Sequence, residues 1–335
     1  MSRILFLLLF TLPFQAVYAQ SDNPKELGKV NWERHLDNGL QQAAREDKPV
    51  LLLFQEVPGC MTCQRYGDEV LSHPLIVEAI EQCFVPVAIY NNKKGRDAEV
   101  LASFDEPAWN NPVVRIVNPL RADVVPRLSG NYSPLGLVNR MVDAIRLQRQ
   151  EPPVYLQLLQ EELQAEANGT EQTTLSMYCF WTGEKNYGQL PGVIATEPGF
   201  MDGREVVQVT FDPSVVSFEK VVHTGQRAQC ADRIYVHSKQ QAQAAVQLIE
   251  NNKIRAKSSF RPDGEPKYYL SKTPYRAVPM TALQAARANA LIGQGKSPER
   301  VLSPKQIAIA QEAKRRADSN WENLIGKDIA ENWEW

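Results

Sequence analysis

A chain of 335 residues, 43% hydrophobic and 23% charged, holds enough apolar material for two cores and is long for one. Its formal net charge of −2, with both signs interspersed, argues against a nucleic-acid surface or a polybasic membrane patch. Five cysteines (Cys60, Cys63, Cys83, Cys179 and Cys230) are too few to staple a chain of this size, so particular thiols are expected to carry redox chemistry.

Residues 1–19 read as a secretory leader. Arg3 supplies the positive charge, Ile4 to Phe10 an apolar stretch extended by Leu12 and Phe14, and Val17-Tyr18-Ala19 a small-residue cleavage site. The mature chain is expected to start at Gln20 and to be exported, either periplasmic or secreted. The apolar run is short for a membrane span, and no later segment approaches about 20 apolar residues, so no span is expected after cleavage.

From 32 to 47 the spacing of Trp32, Leu36, Leu40 and Ala43 predicts an amphipathic helix. An apolar run from Pro49 to Phe54 has strand length, and Pro58-Gly59 makes a turn into Cys60-Met61-Thr62-Cys63, with helix to Leu71. Another helix is predicted over 75–83, where Cys83 reads as a core thiol. Strands are predicted over 84–90 and 112–117, a helix over 97–104 between them, and a fourth strand over 122–128. Ser133 caps a helix that begins with Pro134 and runs to about Gln150. This alternation defines an α/β domain over 20–150. A helical linker follows over 151–172.

Two thiols one helical turn apart can close a disulfide: the one at the helix start attacks and the second resolves the mixed disulfide. A CxxC after a central strand is the thioredoxin arrangement. Residues 30–150 accordingly resemble a thioredoxin-like domain, and Val57-Pro58-Gly59-Cys60 resembles a family within it that has selenocysteine-containing relatives. The resemblance implies that Cys60 attacks, that Cys60 and Cys63 form the redox-active disulfide, and that Pro112 is a cis-proline facing it. No metal is assigned. Zinc wants four ligands, no second close cysteine pair exists, and His35, His73, His223 and His237 lack ligand spacing. No cofactor is expected.

In the second half an apolar, strand-like run ends at Cys179, and a helix can follow with Thr182 as its cap and Glu184, Tyr187 and Leu190 at helical spacing. A thiol at a helix start is favoured as thiolate. The run Cys179-Phe180-Trp181, Glu184, Tyr187 and Leu190-Pro191-Gly192-Val193 resembles the A-type peptide methionine sulfoxide reductases at their own spacing. The similarity continues through Thr196-Glu197, Gly199-Phe200, Glu205 to Val209 and Phe211-Asp212-Pro213. It implies an α+β, ferredoxin-like fold over 173–292.

The resemblance also implies roles. Cys179 attacks the sulfoxide sulfur, and Glu205, its carboxyl kept protonated by burial, donates to the oxygen. Phe180 and Trp181 wall the substrate methyl, and an external thiol or disulfide reductant recharges the chain. The substrate class is methionine sulfoxide in proteins or peptides. This sequence departs from the family where its two oxygen-binding tyrosines stand. One is lost with a shortened loop before Glu205, and Cys230 aligns with the other, which makes Cys230 the expected resolving thiol. Gly225 replaces an aspartate, and Tyr178 or Arg204 could serve in place of the lost tyrosines. A second reading keeps only thiol–disulfide exchange at Cys60, with the reductase-like domain as a recognition module.

Residues 254–292 hold an irregular aromatic segment, Tyr268, Tyr269 and Tyr275. It reads either as a packing arm or as a completion of the sulfoxide pocket, and an alanine-rich helix follows it from about Thr281. The tail, 293–335, is expected to be helical from Ser303-Pro304 and to end in aromatics, Trp321, Trp333 and Trp335.

Overall fold

The computed structural model describes residues 23–228, 230–316 and 322–335; the leader-like segment 1–19, Gln229 and Trp321 lie outside the described residues. In the first half, β1 (Val50–Gln55) is buried along its whole length, because helices cover both faces of its sheet. The sheet order is β2-β1-β3-β4, with β2 spanning Val85–Tyr90, β3 Val113–Val117 and β4 Leu128–Ser129. β1 runs parallel to β2 and antiparallel to β3. Successive residues of β1 serve opposite cores. Val50, Leu52 and Phe54 pack with α1 (Leu36–Glu46) and α4 (Arg96–Ser103), while Leu51 and Leu53 pack with α3 (Pro74–Cys83) and α5 (Pro134–Leu147).

The sequence reading needs correction at the fourth strand. Over 122–128 there is only a bridge from Val117 to Asp123, and the paired segment is β4, two residues long. Pro126 has no backbone N–H to give a ladder, so pairing resumes only beyond it. The CxxC helix, α2 (Met61–Arg65), continues as a π-type turn over Tyr66–Val70.

Helix α6 (Val154–Asn168), read from sequence as a linker, is a packed element. Tyr155, Leu156 and Leu159 belong to the first core, Leu158 joins the C-terminal helices, and Glu161 pairs with Arg287.

The second sheet has the order β10-β6-β7-β5-β8-β9, antiparallel apart from the β8–β9 pair. Its strands are β5 (Glu171–Ser176), β6 (Val193–Met201), β7 (Arg204–Phe211), β8 (Ile234–Val236), β9 (Ile254–Ala256) and β10 (Arg261–Pro262). Helices α7 (Phe180–Tyr187) and α8 (Phe218–Arg227) share a core with it through Tyr187, Val221 and Val222, and α9 (Lys239–Ala245) follows β8. Beyond α10 (Tyr268–Ser271), α11 (Ala282–Ile292) and α12 (Pro304–Arg315) each begin with a capping box, at Thr281/Gln284 and Ser303/Gln306. Residues 322–335 form turns and return to the first half, where Ile329 and Trp333 complete its core. No described helix is long and apolar enough to cross a membrane.

Candidate active site

Cys60 and Cys63 sit where β1 hands over to α2. Cys60 is the N-cap and is exposed; Cys63, inside the first turn, is buried. Their sulfurs are 3.7 Å apart, and the Cys63 thiol donates to Asn111 Oδ1 (2.8 Å), next to the cis Asn111–Pro112 peptide bond. The Cys63 backbone N–H, with smaller help from Thr62, holds the Cys60 thiol below the usual range, whereas burial pushes Cys63 up to about 12. The two thiols are thus unequal in the sense an attacking and a resolving thiol require. With reduced protein, iodoacetamide should label Cys60 with a titration midpoint below that of a free thiol. Cys63 should stay unlabelled until strongly alkaline pH. Equal midpoints by peptide mass analysis would contradict the geometry.

Three further residues shape this turn, and sequence reasoning missed them. Glu26, 4% exposed, accepts the Gly59 N–H (2.7 Å), and Gln55, fully buried at the end of β1, donates to the backbone oxygens of Glu26 and Cys63. Glu56 stands between Gln55 and the loop, facing the sulfurs. Gln55 carried one signal, a polar residue closing an otherwise apolar strand. Glu26 and Glu56 carried none.

In the second sheet β5 stops at Ser176, and Cys179 itself is the N-cap of α7, which begins at Phe180; Thr182 lies inside the first turn rather than capping it. Glu205, near the start of β7, reaches the same place. Its Oε2 accepts the Phe180 N–H (3.0 Å) and its backbone oxygen accepts the Met177 N–H (2.8 Å). Anchoring a carboxylate at a helix N-terminus is electrostatically favourable. Glu205 is half-buried, as is Cys179.

Aromatic residues open the helix that this thiol caps. Phe180 packs against Trp181 and edge-on against Phe200, at 5.6 and 5.5 Å between centroids. Tyr268 stacks on Trp181 at 3.8 Å and 14°, so the irregular aromatic segment packs against the start of α7. Lys267, beside it, forms a buried ion pair with Glu184 of α7 (2.9 Å), and the Lys267 backbone N–H donates to the same carboxylate. Glu184 also accepts from Thr196 Oγ1 (3.2 Å).

Cys230 lies in the segment between α8 and β8. Its N–H donates to Gly225 O, and Ala231, at φ 61°, donates its N–H to Ser176 O. The turn is therefore pinned to the end of β5, three residues before Cys179, and Cys230 is buried in the same core as Met177, Phe180 and Tyr187. Gly225 is required by close approach, since a Cβ there would stand 2.2 Å from the Tyr187 hydroxyl. Among the described residues that hydroxyl is buried without a hydrogen-bond partner.

Tyr178 is 93% exposed and Arg204 is engaged by Asp232 (3.3 Å). The structure thus brings Cys179, Glu205, Phe180, Trp181 and the Cys230 turn into one region, and Cys60, Cys63 and Pro112 into another. Among the described residues, no hydrogen bond, ion pair or ring contact of the Cys60 turn reaches residues 171–292.

Residues 31–119 match a family model described as thioredoxin-like. The peptide methionine sulfoxide reductase MsrA of Methanoculleus marisnigri is 35% identical, covering 16% of this chain and 43% of that protein. The MsrA of Shigella boydii serotype 4 is 32% identical over 17% and 35%. Among solved structures, methionine sulfoxide reductase A of Corynebacterium diphtheriae shares 24% identity at a TM-score of 0.27, over 32% of this chain and 76% of that one. The chain spans less than half the length of the two curated relatives. It joins a thioredoxin-like α/β domain to an α+β domain similar to MsrA, with helices towards the C-terminus.

Proposed function

We propose that the protein is an oxidoreductase that reduces the S-epimer of methionine sulfoxide in peptides or proteins. The observation that carries this is the bond from the Phe180 N–H to Glu205 Oε2, which sets a carboxyl and a thiol at one helix N-terminus. Cys179 attacks the sulfoxide sulfur while a proton passes through the Glu205 carboxyl group to the departing oxygen. The products are methionine and Cys179 sulfenic acid. The Cys230 thiol then displaces that oxygen as water and forms the Cys179–Cys230 disulfide. Phe180, Trp181 and Tyr268 supply an apolar wall for the methyl group.

Cys60 thiolate is the nucleophile that would open this disulfide, with Cys63 resolving. An external thiol or disulfide reductant restores the Cys60/Cys63 pair. Tethering the two dithiols on one chain raises their effective concentration to about millimolar, provided the two sites can approach each other. The leader-like pattern around Arg3 and Ala19 supports an exported location as part of this proposal.

A second reading draws on the outward Tyr178 and the engaged Arg204: with no replacement oxygen ligand, the chain is a thiol–disulfide oxidoreductase and the reductase-like domain recognises partners. Assaying S- and R-epimers of a peptidyl methionine sulfoxide separates the two. Turnover of the S-epimer that disappears in Cys179→Ser supports the first reading. No turnover of either epimer, with insulin-disulfide reduction intact, supports the second.

A further inference from the structure

The turn that carries Cys60 and Cys63 holds a third ligand-bearing group. The Glu56 carboxylate and the two sulfurs all lie within 4.8 Å of one another. Glu56 makes no side-chain hydrogen bond or ion pair among the described residues. Two sulfurs and a carboxylate converging in one turn form a donor set that a metal ion can bridge once the thiols give up their protons.

We infer that the reduced chain binds one zinc ion between Cys60 Sγ, Cys63 Sγ and a Glu56 carboxylate oxygen, with the fourth position open to water. The spacing selects the ion. With Zn–S bonds of about 2.3 Å, sulfurs 3.7 Å apart subtend about 107° at the metal, close to tetrahedral. A linear two-thiolate ion such as Cu(I) would need the sulfurs two full bond lengths apart. A carboxylate with two thiolates is also a mixed set suited to zinc, and Mg²⁺ or Ca²⁺ would want oxygens alone. Three protein ligands and one open position are the pattern of an exchangeable site rather than a closed structural one. The exposed Cys60 gives access from solvent. Because Cys63 and Cys60 must both be thiolates to ligate, binding releases protons and occupies the sulfurs that would otherwise exchange with disulfides.

The test uses the reduced full chain, titrated with Zn²⁺ against a chromogenic chelator, and with Co²⁺ for its spectrum. One Zn²⁺ per chain is expected, together with thiolate-to-cobalt charge transfer and d–d bands of tetrahedral intensity. Oxidising the Cys60/Cys63 pair, or replacing both cysteines with serine, should abolish binding. Glu56→Gln should weaken it at least tenfold, with circular dichroism confirming that the variant is folded. Three results would each overturn the inference: affinity no better than that of a free dithiol, affinity unchanged in Glu56→Gln, or binding that survives loss of both sulfurs.

Discussion

Replacing Lys267 with methionine lowers the free energy of unfolding by about 3–5 kcal/mol, the usual cost of stranding one member of a buried ion pair. The Glu184 side chain is fully buried and the Lys267 side chain is 9% exposed, so water cannot take over the lost contact. Lys267 Nζ also donates to the Thr196 backbone oxygen, which is orphaned in the variant. The backbone supports the same link: Lys267 sits at φ 56°, a left-handed conformation costly for a side-chain-bearing residue, and its N–H is spent on Glu184. Removing both charges together, as Glu184→Leu with Lys267→Met, should recover most of the loss, because a paired apolar replacement leaves no uncompensated charge. Urea denaturation of the two single variants and the double gives the coupling directly. The effect extends to the pocket. Tyr268, adjacent to Lys267, is held against Trp181 by this pair, so Lys267→Met should raise KM for peptidyl sulfoxide more than it lowers kcat.

Glu205→Gln should lower kcat for sulfoxide reduction by about 10²–10⁴-fold, the range for loss of a positioned general acid. Glutamine keeps an oxygen that can accept the Phe180 N–H, so the helix start stays anchored, but it has no acidic proton to give the departing oxygen. The change separates chemistry from architecture. A loss in kcat with little change in the melting profile assigns Glu205 to proton transfer. A comparable loss of stability would assign it to holding the Cys179 turn in place. Quantifying methionine released under substrate saturation, for the S-epimer alone, makes the comparison.

Much of the layout was readable in the residues because the informative features are local. Val50 to Phe54, a continuous apolar run, announces a strand covered on both faces, and Pro49 and Pro58 bracket it. The Cys179-to-Val193 run carries its chemistry in consecutive positions, so its place at a strand-to-helix junction followed from sequence. What escaped notice depends on distance along the chain. Local pattern left the Tyr268 segment between two readings, and its stack on Trp181 lies beside a buried Lys267–Glu184 pair that nothing around Lys267 signals. Ile329 and Trp333 close the core of the first half from the far end of the chain. The Cys230 segment is held by backbone bonds to Gly225 and Ser176, the second of them far away in sequence. Nothing in the sequence around Glu56 and Glu26 marks them, and only the fold turns them on the Cys60 loop.

The most direct measurement counts methionine. Sulfoxide reduction consumes one dithiol for each methionine formed, and the account places two working dithiols on the chain, Cys179/Cys230 and Cys60/Cys63. Fully reduced protein, freed of small thiols and given excess S-epimer sulfoxide, should yield two methionines per chain and leave both pairs oxidised. The Cys60→Ser/Cys63→Ser variant should yield one, with a Cys179–Cys230 disulfide in the peptide map. No methionine from the wild type, or a single equivalent without that disulfide, would contradict the account.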